Sequence, residues 1–215
     1  MPEKITPQQA AALVPDGATV MLGGFLGCGS PHTILEALIA RDAKNLTLIG
    51  NDTASPGFSV ARLVEQKRVK KLIVSHIGTN PASGAQLNEG TLEVDLVPQG
   101  SLAERIRSAG AGLGGFLTPT GVGTPVEEGK RKINIDGRDY LLELPLRADV
   151  ALIRAWKADE AGNLVYRLAA RNFNPLMATA AALVIAEAEE IVPVGALDPD
   201  QIHTPAIFVN HLVQA

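Results

Sequence analysis

Cysteine is almost absent: Cys28 is the one thiol in 215 residues. A lone thiol forms no internal disulfide, so the fold must hold by burial, and a reducing, cytoplasmic setting is expected. Aromatic residues make up 4% of the chain and the net charge is −4. Nucleic-acid binders carry basic surfaces and often stacking rings, so this composition argues against that class. No apolar run reaches the roughly 18 residues of a membrane helix. The first residues, MPEKITPQQAAALVPDG, lack the basic-then-apolar order of a secretory signal. His32, His76, His203 and His211 show no metal-ligand spacing, so no metal is expected.

The rest is an ordinary globular balance, 46% hydrophobic and 20% charged. A chain of this length buries roughly 70% of its unfolded surface, enough for a core without staples. We find neither an interdomain linker nor a repeat at fixed period, so one domain over residues 1–215 is expected. The 21 glycines and 14 prolines mark turns and special backbone positions.

Short apolar runs alternate with amphipathic ones. Residues 6–14 predict a short helix, with Thr6 as cap and Pro7 at its first position. Residues 18–22 (ATVML) predict a buried strand. After GGFLGCGSP, the residues Ile34, Leu35, Leu38 and Ile39 recur at helical spacing. Strand, loop and helix follow at 46–49, 50–57 and 58–67, where Val60, Leu63 and Val64 share a face. Residues 71–75 predict another strand, HIGTNPAS a polar loop, LEVDLVP a strand, and Ser101 to about Ala109 a helix. This alternation predicts an α/β layered fold, a largely parallel sheet flanked by helices. Residues 110–145 break the rhythm: a Gly/Thr/Pro-rich stretch, then a hairpin turning at Asp136-Gly137, read as a flap-like excursion. ADVALIRAW predicts a strand, a second hairpin is expected around Ala161-Gly162-Asn163, and an apolar run follows over 178–192.

Chemistry concentrates between Asp16 and Pro31, where a strand runs into a glycine-dense loop and then a helix start. Ligands in open α/β sheets bind beyond the C-terminal strand ends. A helix N-terminus there offers free N–H groups, and glycines allow close backbone approach. The same glycines would also suit a tight turn, and spacing alone leaves both readings open. The dinucleotide pattern fails for want of a third glycine after Gly27-Cys28-Gly29. The NTPase loop fails because Gly29 is followed by Ser30-Pro31.

The run Asp16-Gly17-x-x-Val20-Met21-Leu22-Gly23-Gly24-Phe25-x-x-x-Gly29-x-Pro31 resembles the signature of the family I coenzyme A transferases, in their alpha subunit or N-terminal half. Pro98-Gln99-Gly100-Ser101-Leu102-Ala103-Glu104-Arg105-Ile106-Arg107 resembles that family's PQG-x-LAERIR segment. Thr118–Thr124 (TPTGVGT), Trp156–Asn163 (WKADEAGN) and Ala170–Asn174 (ARNFN) complete the likeness along nearly the whole chain.

The resemblance implies an alpha subunit similar to those of acetate/acetoacetate (3-oxoacid) enzymes. Such an enzyme moves coenzyme A from a short-chain or 3-oxoacyl-CoA to a small carboxylate through a glutamyl-CoA thioester. It implies coenzyme A as substrate rather than a resident cofactor, held by Gly24, Phe25, Leu26, Gly27, Cys28, Gly29 and Ser30. It gives Gln99 an oxyanion-hole role; without it, Gln99 reads as a turn residue before the helix. The nucleophilic Glu of the family lies in a Ser-Glu-Asn-Gly-like motif of the beta subunit, which this chain lacks. Asn88-Glu89-Gly90 imitates it, but lies in an alpha-like segment, so Glu89 reads as a loop carboxylate. A beta-subunit partner in an α2β2 assembly is therefore expected. Within the family, a 3-oxoadipate enzyme is the alternative; outside it, a non-catalytic ligand-binding module of related α/β layout. Cys28 reads as a small loop residue. Asn51 reads either as a pocket or as a turn residue. Lys157 and Arg171 suit coenzyme phosphates, a partner chain or surface salt bridges equally.

Overall fold

A computed structural model describes residues 1–215. The strands are β1 (Glu3–Lys4), β2 (Thr19–Leu22), β3 (Leu46–Ile49), β4 (Val69–Val74), β5 (Glu93–Leu96), β6 (Phe116–Thr118), β7 (Lys132–Ile135), β8 (Arg138–Glu143), β9 (Ala148–Asp159), β10 (Leu164–Val165), β11 (Ala181–Val192) and β12 (His211–Gln214). The helices are α1 (Pro7–Ala12), α2 (His32–Ala40), α3 (Ala61–Glu65), α4 (Pro81–Asn88), α5 (Gln99–Gly110) and α6 (Asn174–Met177).

The main sheet runs β1-β12-β11-β9-β2-β3-β4-β5, with β10 folded back antiparallel on β9. Every other pairing in it is parallel. Successive strand residues face opposite sides, so the apolar strands feed two cores. Val20, Leu22, Leu48 and Leu72 pack with Ala10, Ile34, Leu38 and Leu63 under α1–α3. Met21, Ile49 and Ile73 pack with Leu102, Ile106 and Met177 under α5 and α6. This is the expected layered α/β fold.

The excursion over 110–145 forms a separate antiparallel sheet, β6-β8-β7. It is tied to α5 at one buried carboxylate. Glu143 pairs with Lys130 Nζ at 2.6 Å and faces Arg105 Nε at 3.9 Å, while that Nε donates to the Leu144 carbonyl at 2.9 Å.

Three local expectations shift. The polar stretch after β4 contains α4, capped by Asn80, whose side chain accepts from the Ala82 N–H at 3.1 Å. Its buried residues are Ser83 and Gln86 rather than an apolar stripe. Helix α5 begins at Gln99 instead of Ser101, and the 58–67 helix shortens to Ala61–Glu65. No helix is long and apolar enough to cross a membrane.

The position of β2 decides where a site can form. From β2 the chain moves outward to β3, β4 and β5; from its other neighbour, β9, it moves the opposite way to β11 and β12. Such a reversal opens a crevice at the C-terminal strand ends. The glycine loop leaves β2 at that crevice.

Candidate active site

Beyond Leu22 the chain turns back on itself. Phe25 and Cys28 exchange backbone hydrogen bonds at 3.0 and 2.9 Å, closing a two-residue hairpin. Its tip residues, Leu26 and Gly27, have φ of 48° and 82°. This type I′ geometry ordinarily selects Asn or Gly at both positions. Leu26 is held there by Asp52, whose Oδ2 accepts the Leu26 N–H at 2.9 Å.

The glycines around the tip face protein where a side chain would start. A Cβ on Gly23 would lie 1.8 Å from Asn174 Oδ1, on Gly24 2.3 Å from Ser30 Oγ, and on Gly27 2.2 Å from the Phe58 ring. On Gly29 it would lie 2.9 Å from the Ala170 backbone. Close packing of the loop thus demands these glycines. The backbone N–H groups of Gly24, Gly27 and Gly29 nevertheless have no partner within the chain. Gly24 and Gly27 are buried and Gly29 is partly exposed.

The loop is braced by the ARNFN segment. Asn172 Nδ2 donates to the Cys28 carbonyl at 2.9 Å and Asn174 Nδ2 to the Gly29 carbonyl at 3.0 Å. Asn174 is fully buried, and its Oδ1 accepts the Arg154 N–H of β9 at 3.0 Å. Two of the free N–H groups expected at the start of α2, those of Thr33 and Ile34, are taken. Glu187 of β11, fully buried, accepts from Thr33 N and Oγ1 at 2.9 and 2.6 Å and from Ile34 N at 3.1 Å. Arg154 Nη1 lies 3.3 Å from its other oxygen. This helix end is neutralised by the protein's own carboxylate.

On one side of the hairpin is a cleft of about 150 Å³, lined among others by Phe25, Leu26, Asn51, Asp52, His76 and Gln99. Gln99, at the first position of α5, donates Nε2 to Asn51 Oδ1 at 2.6 Å. An amide nitrogen carries two hydrogens, and the second of Gln99 is uncommitted within the chain. Asn51 is 3% exposed; its Nδ2 donates to Asp52 Oδ2 at 2.7 Å, and Ser75 Oγ donates to its carbonyl at 2.7 Å. Asp52 also accepts the Ala54 N–H at 2.7 Å. Its carboxylate is the only one in the cleft and is occupied by three donors.

On the other side, Leu26, Gly27, Cys28 and Gly29 line a wider groove with His32, Phe58 and Trp156. The His32 ring packs against Phe58, centroids 4.8 Å apart and planes tilted by 40°. Burial, reinforced by the Arg154 charge, lowers its pKa below the usual imidazole value. The hairpin is therefore a wall between two open spaces, with Phe25 turned to one and Cys28 to the other.

Of the residues singled out from sequence, Phe25, Leu26 and Gln99 share one cleft, with Asn51 as a pocket residue. Gly24 and Ser30 pack behind the hairpin. Glu89 caps the C-terminus of α4, exposed and 3.9 Å from Lys67. Lys157 pairs with Glu190 at 2.7 Å and lies over the Trp156 ring. The WKADEAGN segment is architectural: buried Asp159 accepts Asn163 N and Nδ2, both at 2.8 Å, closing the β9–β10 turn. Asp52, Asn172 and Asn174 escaped sequence reasoning as site residues. The adjacency of Asp52 to Asn51, just beyond a strand end, was the available signal.

The whole chain but three residues, 4–215, matches the coenzyme A transferase family model. It is 53% identical over 209 residues to the acetate CoA-transferase subunit alpha of Escherichia coli K12, covering 97% of this chain and 95% of that one. It is 51% identical over 199 residues to the acetoacetyl-CoA:acetate/butyrate CoA transferase alpha subunit of Clostridium acetobutylicum, covering 93% and 91%. Among solved structures, an acyl-CoA transferase of Escherichia coli O157:H7, in a thioester complex with CoA, superposes with a TM-score of 0.88 at 22% identity. That match covers 99% of this chain and 47% of the other, so the chain spans about half its length. With this fold, this ordered set of segments and these relatives, the chain belongs to the coenzyme A transferase family.

Proposed function

We propose that this chain is the alpha subunit of an α2β2 coenzyme A transferase whose beta subunit supplies the glutamate that forms the covalent thioester. The substrates are a short-chain acyl-CoA or 3-oxoacyl-CoA and a small carboxylate such as acetate, succinate or acetoacetate. The relatives at 53% and 51% identity, named for acetate, acetoacetyl-CoA and butyrate, support this class over 3-oxoadipate. One observation carries the proposal: the cleft offers an oriented amide donor but no free carboxylate. Gln99 has an uncommitted N–H, whereas Asp52, the sole carboxylate, is held by Leu26, Asn51 and Ala54. A donor without an attacking group is half of an acyl-transfer site.

In the completed site, the partner's glutamate attacks the thioester carbonyl. Negative charge collects on the carbonyl oxygen, and Gln99 Nε2–H donates to it. Collapse of the tetrahedral adduct breaks the carbon–sulfur bond to give an acyl-glutamyl anhydride and coenzyme A thiolate. The thiolate then attacks the glutamyl carbonyl, forming the enzyme thioester and releasing the acyl group as its carboxylate. The uncommitted N–H of Gly29, which is only partly buried, can donate to a polar oxygen of coenzyme A at the hairpin. Because the Gln99 interaction strengthens only as charge develops, it acts on kcat more than on binding.

Gln99→Ala in the assembled enzyme should lower kcat by on the order of 10²–10³, the cost of losing one oxyanion donor, with KM for acyl-CoA little changed. Gln99→Glu should be worse, since it sets a negative charge against the oxyanion. Steady-state kinetics normalised by active-site titration, run beside thermal unfolding, separate this from a turn role. A turn residue would lower the melting temperature and leave kcat per folded enzyme unchanged in both variants.

A further inference from the structure

We propose that Asp52 is a positioning residue: through Asn51 it decides which end of the Gln99 amide faces the cleft. This rests on the reading of Gln99 as oxyanion donor. Asp52 is 7% exposed, and its three donors are neutral amides: Leu26 N–H, Asn51 Nδ2 and Ala54 N–H. Its neighbour along the chain, Asn51, is buried between it and Gln99.

The logic lies in which groups donate. A carboxylate accepts hydrogen bonds and donates none, whereas an amide side chain has one accepting and one donating end. Asp52 Oδ2 therefore obliges Asn51 to present Nδ2, at 2.7 Å. That turns Asn51 Oδ1 towards Gln99; Ser75 Oγ, whose one hydrogen goes to the Asn51 main-chain carbonyl, lies 3.2 Å from it. An acceptor facing Gln99 in turn obliges Gln99 to present Nε2, at 2.6 Å. The amide nitrogen thus keeps one hydrogen on Asn51 and its second hydrogen free. Reversed, Gln99 would present a carbonyl oxygen where the oxyanion forms. Two amides in series inherit their orientation from one acceptor-only group. The same oxygen fixes Leu26 at the hairpin tip, so both walls of the cleft are set from Asp52.

Asp52→Asn breaks the rule with almost no change of shape. An asparagine has one oxygen for three donors. With that oxygen towards Leu26 and Asn51, its NH₂ opposes the Ala54 N–H. Turned over, its NH₂ opposes the Leu26 N–H and permits Asn51, and then Gln99, to reverse.

The test is a double-mutant cycle in the enzyme assembled with its partner: Asp52→Asn, Gln99→Ala and both together. Asp52→Asn should lower kcat about tenfold, within the coupling range of residues in one network, with KM for acyl-CoA nearly constant. In the Gln99→Ala background it should cost no further kcat. If Asp52→Asn fails to assemble, Asn51→Ala goes through the same cycle, removing the middle amide. Unchanged kcat in Asp52→Asn, or equal losses with and without Gln99, would overturn the positioning role while leaving Gln99 catalytic. Unchanged kcat in Gln99→Ala alone would remove the oxyanion reading, and the positioning role with it.

Discussion

At the scale of single residues, Gly29 and Gly84 show two different reasons for a glycine. Gly29 has φ of 78° and faces the Ala170 backbone and the Asn174 amide at about one missing methyl's distance. Gly84 lies inside α4 with open space around its absent side chain. Gly29→Ala should destabilise by about 1–3 kcal/mol, as overpacking does, and weaken acyl-CoA binding as the hairpin shifts. Gly84→Ala should stabilise by about 0.5–1 kcal/mol, because a helix interior favours Ala. Denaturant unfolding of both variants, with acyl-CoA titration of the first, checks the pair. From sequence the glycine loop was conspicuous, but whether its glycines met a ligand or protein was undecidable. The atoms that Gly23 and Gly29 meet come from residues 170–174, a separation of 145 positions for the Gly29–Asn174 bond. Gln99 stood out only through resemblance, since an isolated glutamine before a helix has no local signature of catalysis. Its partner Asn51 lies 48 residues away, a distance across which spacing carries no information.

Among the elements, α2 shows how a long-range side chain replaces a local cap. Pro31 precedes it without a side-chain cap, and Glu187 from β11 fills that role across 154 residues. The arrangement locks the exit of the glycine loop to the sheet. Glu187→Gln should cost about 1.5–3 kcal/mol, the range for hydrogen bonds to a charged group, and leave Arg154 paired with Glu189 alone. Equilibrium unfolding measures it; a stability equal to the unmodified protein would mean that the buried carboxylate is dispensable. Helix α1 was legible from its Thr6 cap and Pro7 start, and α2 from its apolar spacing. Helix α4 was not, because it buries Ser83 and Gln86 and holds on through polar contacts. Gln86 Nε2, for example, donates to the Val64 carbonyl at 2.8 Å. A polar helix of this kind has the composition of a loop. The hairpin at Asp136-Gly137 was legible from its turn chemistry alone, with both φ values positive.

Across the whole molecule, short apolar strands alternating with helices announced a largely parallel sheet flanked by helices, and a core lies on each of its faces. Strand order was beyond reach of the sequence, because nothing local says that β9 slots in beside β2 rather than beside β5. Yet that insertion makes the site: it opens the crevice at β2 and brings Asn174 and Arg154 to the glycine loop. The resulting cleft has a donor and an occupied carboxylate, which is why the attacking group is proposed to come from a second chain. The direct measurement is to incubate the assembled enzyme with acyl-CoA, reduce the covalent thioester with borohydride, and locate the modified residue by peptide mass spectrometry. The reduced glutamate is expected on the partner chain, with this chain unmodified. A reduced glutamate on this chain, at Glu89 or elsewhere, would contradict the division of labour proposed for the two subunits.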